Sequence, residues 1–258
     1  MRDRIKDEKY FKDYLNESYR LLNKRIDKFS NGLIRPEREK IVKIDMGRQY
    51  LKNIFAKYSL GLLCSDYEED YINGLVLIEK YWAGSWKIDD EHVELNQYSL
   101  GAYYDLLCML SLGYLLKYSN EWFERLKKVI EEDKVEDLLY NFILASKLSE
   151  SNFLLEESYQ KYFAIPEVFK SLREAIIEED TIVAQSLIKQ FIEKEWYQNH
   201  KEVDSGWVNN HLSEHNLYVG YWCFEAAAIT CIKGLDDSSY RDHPYYPKDL
   251  ADYYRANR

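Results

Sequence analysis

Apolar residues recur at helical spacing along most of the chain. Over residues 5–29, Phe11, Leu15, Leu22, Ile26 and Phe29 fall three to seven positions apart, and Asn31-Gly32 then supplies residues that tolerate a left-handed cap. Pro36 opens a second helix within its first turn, and that helix presents Ile41, Ile44, Leu51, Ile54, Phe55, Tyr58 and Leu62 to one side. Ser65, with Glu68 three residues on, reads as the capping box of a third helix that ends near Trp82. Residues 83–96 form a polar loop, and residues 96–117 an apolar helix. Ser119-Asn120 interrupts the pattern and sets an expected division into 1–118 and 119–258. Short helices follow over 121–132 and 134–147, and Pro166 starts another. Asp180 caps the next, in which Val183, Leu187 and Phe191 form one stripe and Ile188, Ile192 and Trp196 the adjacent one, together a wide buried face. A last strong helix spans 215–233 and stops at Gly234, and the tail reads as an ordered extended segment followed by a short helix. No segment alternates convincingly. The expected fold is all-α: two packed helical halves, roughly nine to ten helices and no substantial sheet.

Composition supports this reading. Gly is 10 and Pro is 4 of 258 residues, too few for the frequent turns of an all-β chain. The formal net charge of -10 conceals a split. Residues 1–60 carry 16 Lys+Arg against 9 Asp+Glu, a net of +7, while residues 61–258 carry 19 against 36, a net of -17. Such an acidic surface repels nucleic acid and suits a basic partner. Cys64, Cys108, Cys223 and Cys231 form no CxxC pair and read as reduced core residues. The start MRDRIKDEKYF lacks an apolar signal core, and the best span candidate, 95–116, contains Asn96, Gln97 and Asp105. The expectation is a cytoplasmic protein that does not insert in a membrane.

Motifs for chemistry are few. There is no GxxxxGK, no GxGxxG after a strand and no GxSxG elbow. His211-Leu-Ser-Glu214-His215 has the H-x-x-E-H order in which two imidazoles on one helix face hold Zn²⁺ and a glutamate activates water. The flanking Asn209-Asn210 and Asn216 point instead to a loop end, with His211 as a hydrogen-bonding residue. Asp105 and Glu225 are lone charges in apolar runs, so each must be paired, hydrogen-bonded or protonated. They read as structural anchors more readily than as an acid/base pair. Acidic clusters occur at Asp66/Glu68/Glu69/Asp70, Asp89/Asp90/Glu91, Glu131/Glu132/Asp133, Glu178/Glu179/Asp180 and Asp236/Asp237. The helix dipole accounts for Glu68 and Asp180, but not for Asp89–Glu91 in a loop. Tyr is 24 and Trp is 6; most read as half-buried helix residues, and the surplus of polar-tipped aromatics favours a protein-binding surface.

One ordered set of residues is more specific than any of these. Trp196-Tyr197, Trp207 and His211 are followed by Tyr218-x-Gly220-Tyr221-Trp222-x-Phe224-Glu225-Ala226-Ala227-Ala228-Ile229, then Gly234-Leu235-Asp236-Asp237-Ser238-Ser239, then Tyr245-Tyr246-Pro247-x-Asp249-Leu250. This series resembles the C-terminal domain of the PoNe-immunity family, bacterial proteins that protect against polymorphic DNase toxins. Tyr58-Ser59-x-Gly61, Ile78-Glu79-Lys80-Tyr81-Trp82 and the apolar helix around 106–116 resemble its N-terminal domain more loosely. The resemblance implies a helical, non-enzymatic cytosolic antitoxin that binds its cognate nuclease one-to-one and blocks it. No cofactor or metal is expected, and the oligomeric state, monomer or homodimer, stays open.

The charge argument meets this reading from another side: a nuclease that holds a polyanion has a basic cleft, and an acidic inhibitor suits it. The motif residues Trp196, His211, Tyr221, Trp222, Phe224, Glu225, Tyr245, Tyr246, Pro247 and Asp249 read as packing, with Glu225 and His211 as polar fasteners. Contacts that set toxin specificity are expected in exposed loops and helix faces instead. The candidate partner-binding residues are Asp66, Glu68, Glu69, Asp70, Asp89, Asp90 and Glu91, with Asp236 and Asp237 as a second patch. The alternative function is a metal-dependent hydrolase built on His211, Glu214 and His215.

Overall fold

A computed structural model of the chain describes the backbone of residues 1–90, 93–149 and 168–257, and the side chains of all these but 89, 90 and 93–95. Its architecture is helical. Asp7 caps α1 (Glu8–Ser30) by accepting from the Tyr10 N–H, and Asn31 with Gly32, at φ +64°, closes it. Pro36 starts α2 (Pro36–Leu60), which Gly61 ends in the left-handed region at φ +92°. A 3-10 turn (Cys64–Tyr67) leads into α3 (Glu68–Tyr81). The cap at this entry is two residues earlier than the Ser65/Glu68 expectation, since the Asp66 carboxylate reaches back to accept from the Leu63 N–H at 2.9 Å.

The segment expected as a polar loop contains an antiparallel hairpin, β1 (Lys87–Asp90) and β2 (Val93–Tyr98), with Ile88 opposite Leu95 and Asp90 opposite Val93. Four- and six-residue strands are too short for their alternation to stand out from a loop. There follow α4 (Leu100–Leu115), α5 (Asn120–Glu132), α6 (Leu138–Leu148), α7 (Lys170–Ile177) and α8 (Thr181–Gln190). The helix start expected at Pro166 lies outside the described residues. Helix α8 continues through a π-helical turn (Phe191–Glu195) into α9 (Trp196–Glu202). The helix expected over 215–233 is shorter: α10 spans Phe224–Lys233, and α11 (Lys248–Ala256) closes the chain.

The chain packs as two units. The first comprises Met1–Ser85 with Asn209–Gly220, the second Trp86–Val208 with Tyr221–Arg258. Position 118/119, the division expected from sequence, falls inside the second unit between α4 and α5.

In the first unit α2 packs on α1 and α3, and Leu22, Met46 and Tyr50 form a core that Tyr19, Phe29, Val42 and Leu77 flank. Residues 209–220 join this unit as a strap. The Tyr218 hydroxyl donates to Asp3 Oδ2 at 2.5 Å, the Tyr10 hydroxyl donates to the Tyr218 carbonyl, and Ser59 Oγ donates to the Val219 carbonyl at 2.7 Å.

In the second unit α4 is almost wholly buried and packs on α6, α10 and α11. Tyrosine hydroxyls fasten it: Tyr103 donates to Asp137 Oδ1 at 2.9 Å, and Tyr140 to the Tyr103 carbonyl at 2.7 Å. Lys233, in the last turn of α10, donates to the Ile176 and Glu178 carbonyls at the end of α7, which answers the negative end of that helix. Three of the cysteines are buried as expected; Cys64 is half-buried instead, and none of the four is in a disulfide. Among the described residues no helix is long and apolar enough to cross a membrane.

Candidate functional site

The acidic candidates separate once their surroundings are known. Asp66, Glu68 and Glu69 are exposed at the start of α3, where three carboxylates face the positive end of a helix. Asp70, one residue on, is buried. It pairs with Lys57 at 2.7 Å and accepts from the Tyr19 hydroxyl at 2.7 Å. Lys57 also donates to the Asp66 carbonyl. Asp70 is therefore a fastener of α1, α2 and α3 and offers no surface charge.

The second patch divides in the same way. Asp236 is exposed and closes a turn, accepting from the Ser238 N–H at 2.9 Å and hydroxyl at 2.8 Å; these bonds, led by the backbone one, lower its carboxyl pKa. Asp237 is buried and accepts from Arg255, Arg241 and the Tyr246 hydroxyl at 2.8, 3.1 and 3.0 Å. It locks the tail onto the end of α10. The Asp89 and Asp90 backbones lie in β1; their side chains and the whole of Glu91 lie outside the described residues.

Apart from His211, which lies in the first unit, the motif residues belong to the second unit and most build its interior. Trp196, Tyr221, Trp222, Phe224 and Tyr246 are buried. Pro247 is buried at the start of α11, Tyr245 is half-buried and Asp249 is exposed. Trp196 stacks on Trp207 with ring centroids 4.9 Å apart, and Tyr197 on Tyr245 at 5.6 Å.

Glu225 is fully buried, and the Trp196 indole N–H donates to its Oε1 at 2.7 Å. Burial raises its pKa to about 7, although the Glu225 N–H, the Cys223 thiol and the Trp196 indole all favour the charged form. Loss of water thus outweighs three donors. One α-helical turn after Trp196, His200 is buried against Tyr104, Phe169, Trp196 and Trp207, with Nδ1 2.8 Å from Ser205 Oγ. Burial lowers its pKa to about 3, so it is neutral. Of the two lone charges noted in sequence, Glu225 is buried and Asp105 half-buried.

The H-x-x-E-H series does not form the helix its chemistry requires. Asn209 is left-handed at φ +62°, Asn210–Leu212 make one 3-10 turn, and Ser213 is extended at ψ 142°. His211 and His215 therefore do not share an α-helical face. His211 packs its ring against Tyr218, centroids 6.2 Å apart. Among the described residues no group of three or more His, Cys, Asp or Glu is placed to hold a metal ion.

His200 and Lys233 were missed in sequence. A lone histidine in a polar-looking helix end and a lysine before a glycine cap carry no signal of burial or of a carbonyl partner.

Comparison with known proteins adds the remaining evidence. A search of curated proteins gives no match. A solved structure, the crystal structure of protein PA2201 from Pseudomonas aeruginosa, superposes with a TM-score of 0.65 at 18% identity, over 95% of this chain and 89% of that one; the two share a fold. Residues 2–128 match the model of the N-terminal region of PoNe immunity proteins (PoNi), and residues 135–250 match that of the C-terminal region. The two matches take in nearly every element described above, and the chain belongs to the PoNe immunity protein family.

Proposed function

We propose that this protein neutralises a cognate PoNe-type nuclease toxin in the cytoplasm by binding it stoichiometrically through an acidic surface, without itself making or breaking covalent bonds. The observation that carries this reading is the paired family match over 2–128 and 135–250. The charge distribution supports it: residues 61–258 hold 36 Asp+Glu against 19 Lys+Arg, and Asp66, Glu68 and Glu69 stand exposed at the start of α3. A nuclease binds a polyanion, so its working surface is cationic, and opposite fields speed encounter and exclude wrong partners.

The test is co-expression with the product of the neighbouring toxin gene, followed by pull-down and a DNA-degradation assay. A one-to-one complex and loss of degradation are expected. A purified protein that neither binds the toxin nor slows it would overturn the reading. Joint charge reversal of Asp66, Glu68 and Glu69 to Lys is expected to weaken protection; if it leaves protection intact, the acidic patch lies elsewhere.

A further inference from the structure

Five large apolar side chains that the fold leaves in water lie around one hydrogen-bonded knot in the first unit. Met1, Ile5, Leu63, Leu212 and Leu217 are 61, 47, 71, 72 and 51% exposed. Scattered singly, such residues are ordinary; gathered, they mark an interaction site.

Each borders an atom of the same knot. The Met1 backbone nitrogen lies 2.9 Å from where a Cβ on Gly61 would stand. The Ile5 N–H donates to Asp3 Oδ1 at 2.8 Å. Leu63 follows Leu62, whose carbonyl accepts from the Arg2 guanidinium at 3.0 Å. Leu217 precedes Tyr218, which holds Asp3 through its hydroxyl, and Leu212 follows His211, which packs on the Tyr218 ring. The segment before α1, the α2–α3 turn and the strap thus present their apolar residues from one tied junction.

The border is acidic on one side. Asp66, bonded to the Leu63 N–H, stands with Glu68 and Glu69 beside Leu63, and the exposed Glu214 lies between the two strap leucines. Of the cations here, Lys57 is committed to Asp70 and the Arg2 guanidinium donates to the Tyr58 and Leu62 carbonyls, while Arg4 is exposed and Lys6 half-buried on either side of Ile5.

We infer that this apolar junction with its acidic border is the docking face for the nuclease toxin, the leucines as anchors and the carboxylates as the matching rim. The inference rests on the immunity reading above and names its surface. A cationic nuclease complements the carboxylates, whereas a second copy of this chain would bring like-charged borders together.

The test compares three proteins against the product of the neighbouring toxin gene: wild type, a Leu63→Asp/Leu212→Asp/Leu217→Asp variant, and an Ile182→Asp/Val183→Asp variant that alters exposed apolar residues of the second unit. The first variant should bind at least about tenfold more weakly, as loss of anchor residues does, with unchanged circular dichroism, while the second binds like wild type. Equal binding by the leucine variant, or weakening by the control alone, overturns the inference. Should the leucine variant misfold, hydrogen–deuterium exchange of the wild-type complex decides: protection over residues 1–5, 61–66 and 211–218 is expected, and protection confined to other segments overturns it. A free protein that is dimeric, and that the leucine variant renders monomeric, would make a second copy the occupant and also overturn it. Failure of the wild type itself to bind would count against the immunity reading, a separate outcome.

Discussion

Burial of Glu225 among neutral groups makes the fold sensitive to pH. In the unfolded chain its carboxyl titrates near 4.5, and in the fold near 7. Between these values the unfolded chain has released its proton and the folded one still holds it, so stability falls as pH rises through the interval. Above pH 7 the accumulated loss is about 3 kcal/mol. His200 acts in the opposite sense. Its pKa drops from 6.5 to about 3, so as pH falls from 6.5 towards 3 the unfolded chain takes up a proton that the folded one refuses. The two slopes oppose each other between 4.5 and 6.5 and leave a plateau there. Glu225→Gln should remove the alkaline limb: the denaturant midpoint should be lower at pH 8.5 than at pH 6 in the wild type, and slightly higher at pH 8.5 in the variant, where the His200 slope acts alone. An equal drop in the variant would assign the alkaline loss to other groups. Asp237→Asn is expected to cost about 3 kcal/mol, because it leaves two arginines without their buried partner; thermal melting checks this. Aspartates within one cluster look alike in sequence, and what separates Asp237 from Asp236, or Asp70 from Glu69, is the direction each takes from its helix end. Many of the tyrosines lie deeper than the half-buried helix positions expected of them. Tyr58, Tyr67, Tyr71, Tyr98, Tyr103, Tyr140, Tyr218 and Tyr240 are fully buried, and the hydroxyls of Tyr67, Tyr98, Tyr103, Tyr140, Tyr218 and Tyr240 serve as internal ties.

At the level of elements, backbone conformation decides what periodicity cannot. Gly61 ends α2 at φ +92°, and a Cβ there would meet the Met1 backbone at 2.9 Å. Gly61→Ala should therefore destabilise by about 1–3 kcal/mol from strain and clash together, read as a lowered melting temperature. Long helices were legible because caps and apolar spacing agreed: Asn31-Gly32, Pro36, Asp180 and Gly234 all mark real ends. The stripe through Val183, Leu187 and Phe191 was legible only in part. Val183 is exposed and Leu187 half-buried, while Ala184, Ile188, Phe191 and Ile192 face inward. The adjacent stripe, Ile188, Ile192 and Trp196, is buried throughout and runs across the π turn at Phe191–Glu195. The helix expected over 215–233 loses its first part to the strap, because hydrogen bonds to Asp3, Tyr10 and Ser59 hold Tyr218 and Val219 in a non-helical course. Those partners lie 160 to 215 residues away and leave no local trace.

Across the whole molecule, charge is the property most visible from sequence and least dependent on detail. On the proposed function, the excess of carboxylates over residues 61–258 should make capture of the toxin salt-sensitive: the association rate should fall severalfold between about 50 and 200 mM salt, with a smaller change in dissociation. Stopped-flow mixing at several ionic strengths measures this, and a flat response would remove long-range attraction from the account. The all-α class and the family signature were both readable, since each rests on many residues at once.

The strap has a consequence for heredity. The backbone passes from one unit to the other three times, near positions 85, 208 and 220. A single genetic crossover that joins the front of one relative's gene to the back of another's would therefore seat a foreign twelve-residue insert against Asp3, Tyr10 and Ser59. New specificities should arise more readily by point changes within one lineage, or by exchange of the gene entire, than by shuffling of its halves.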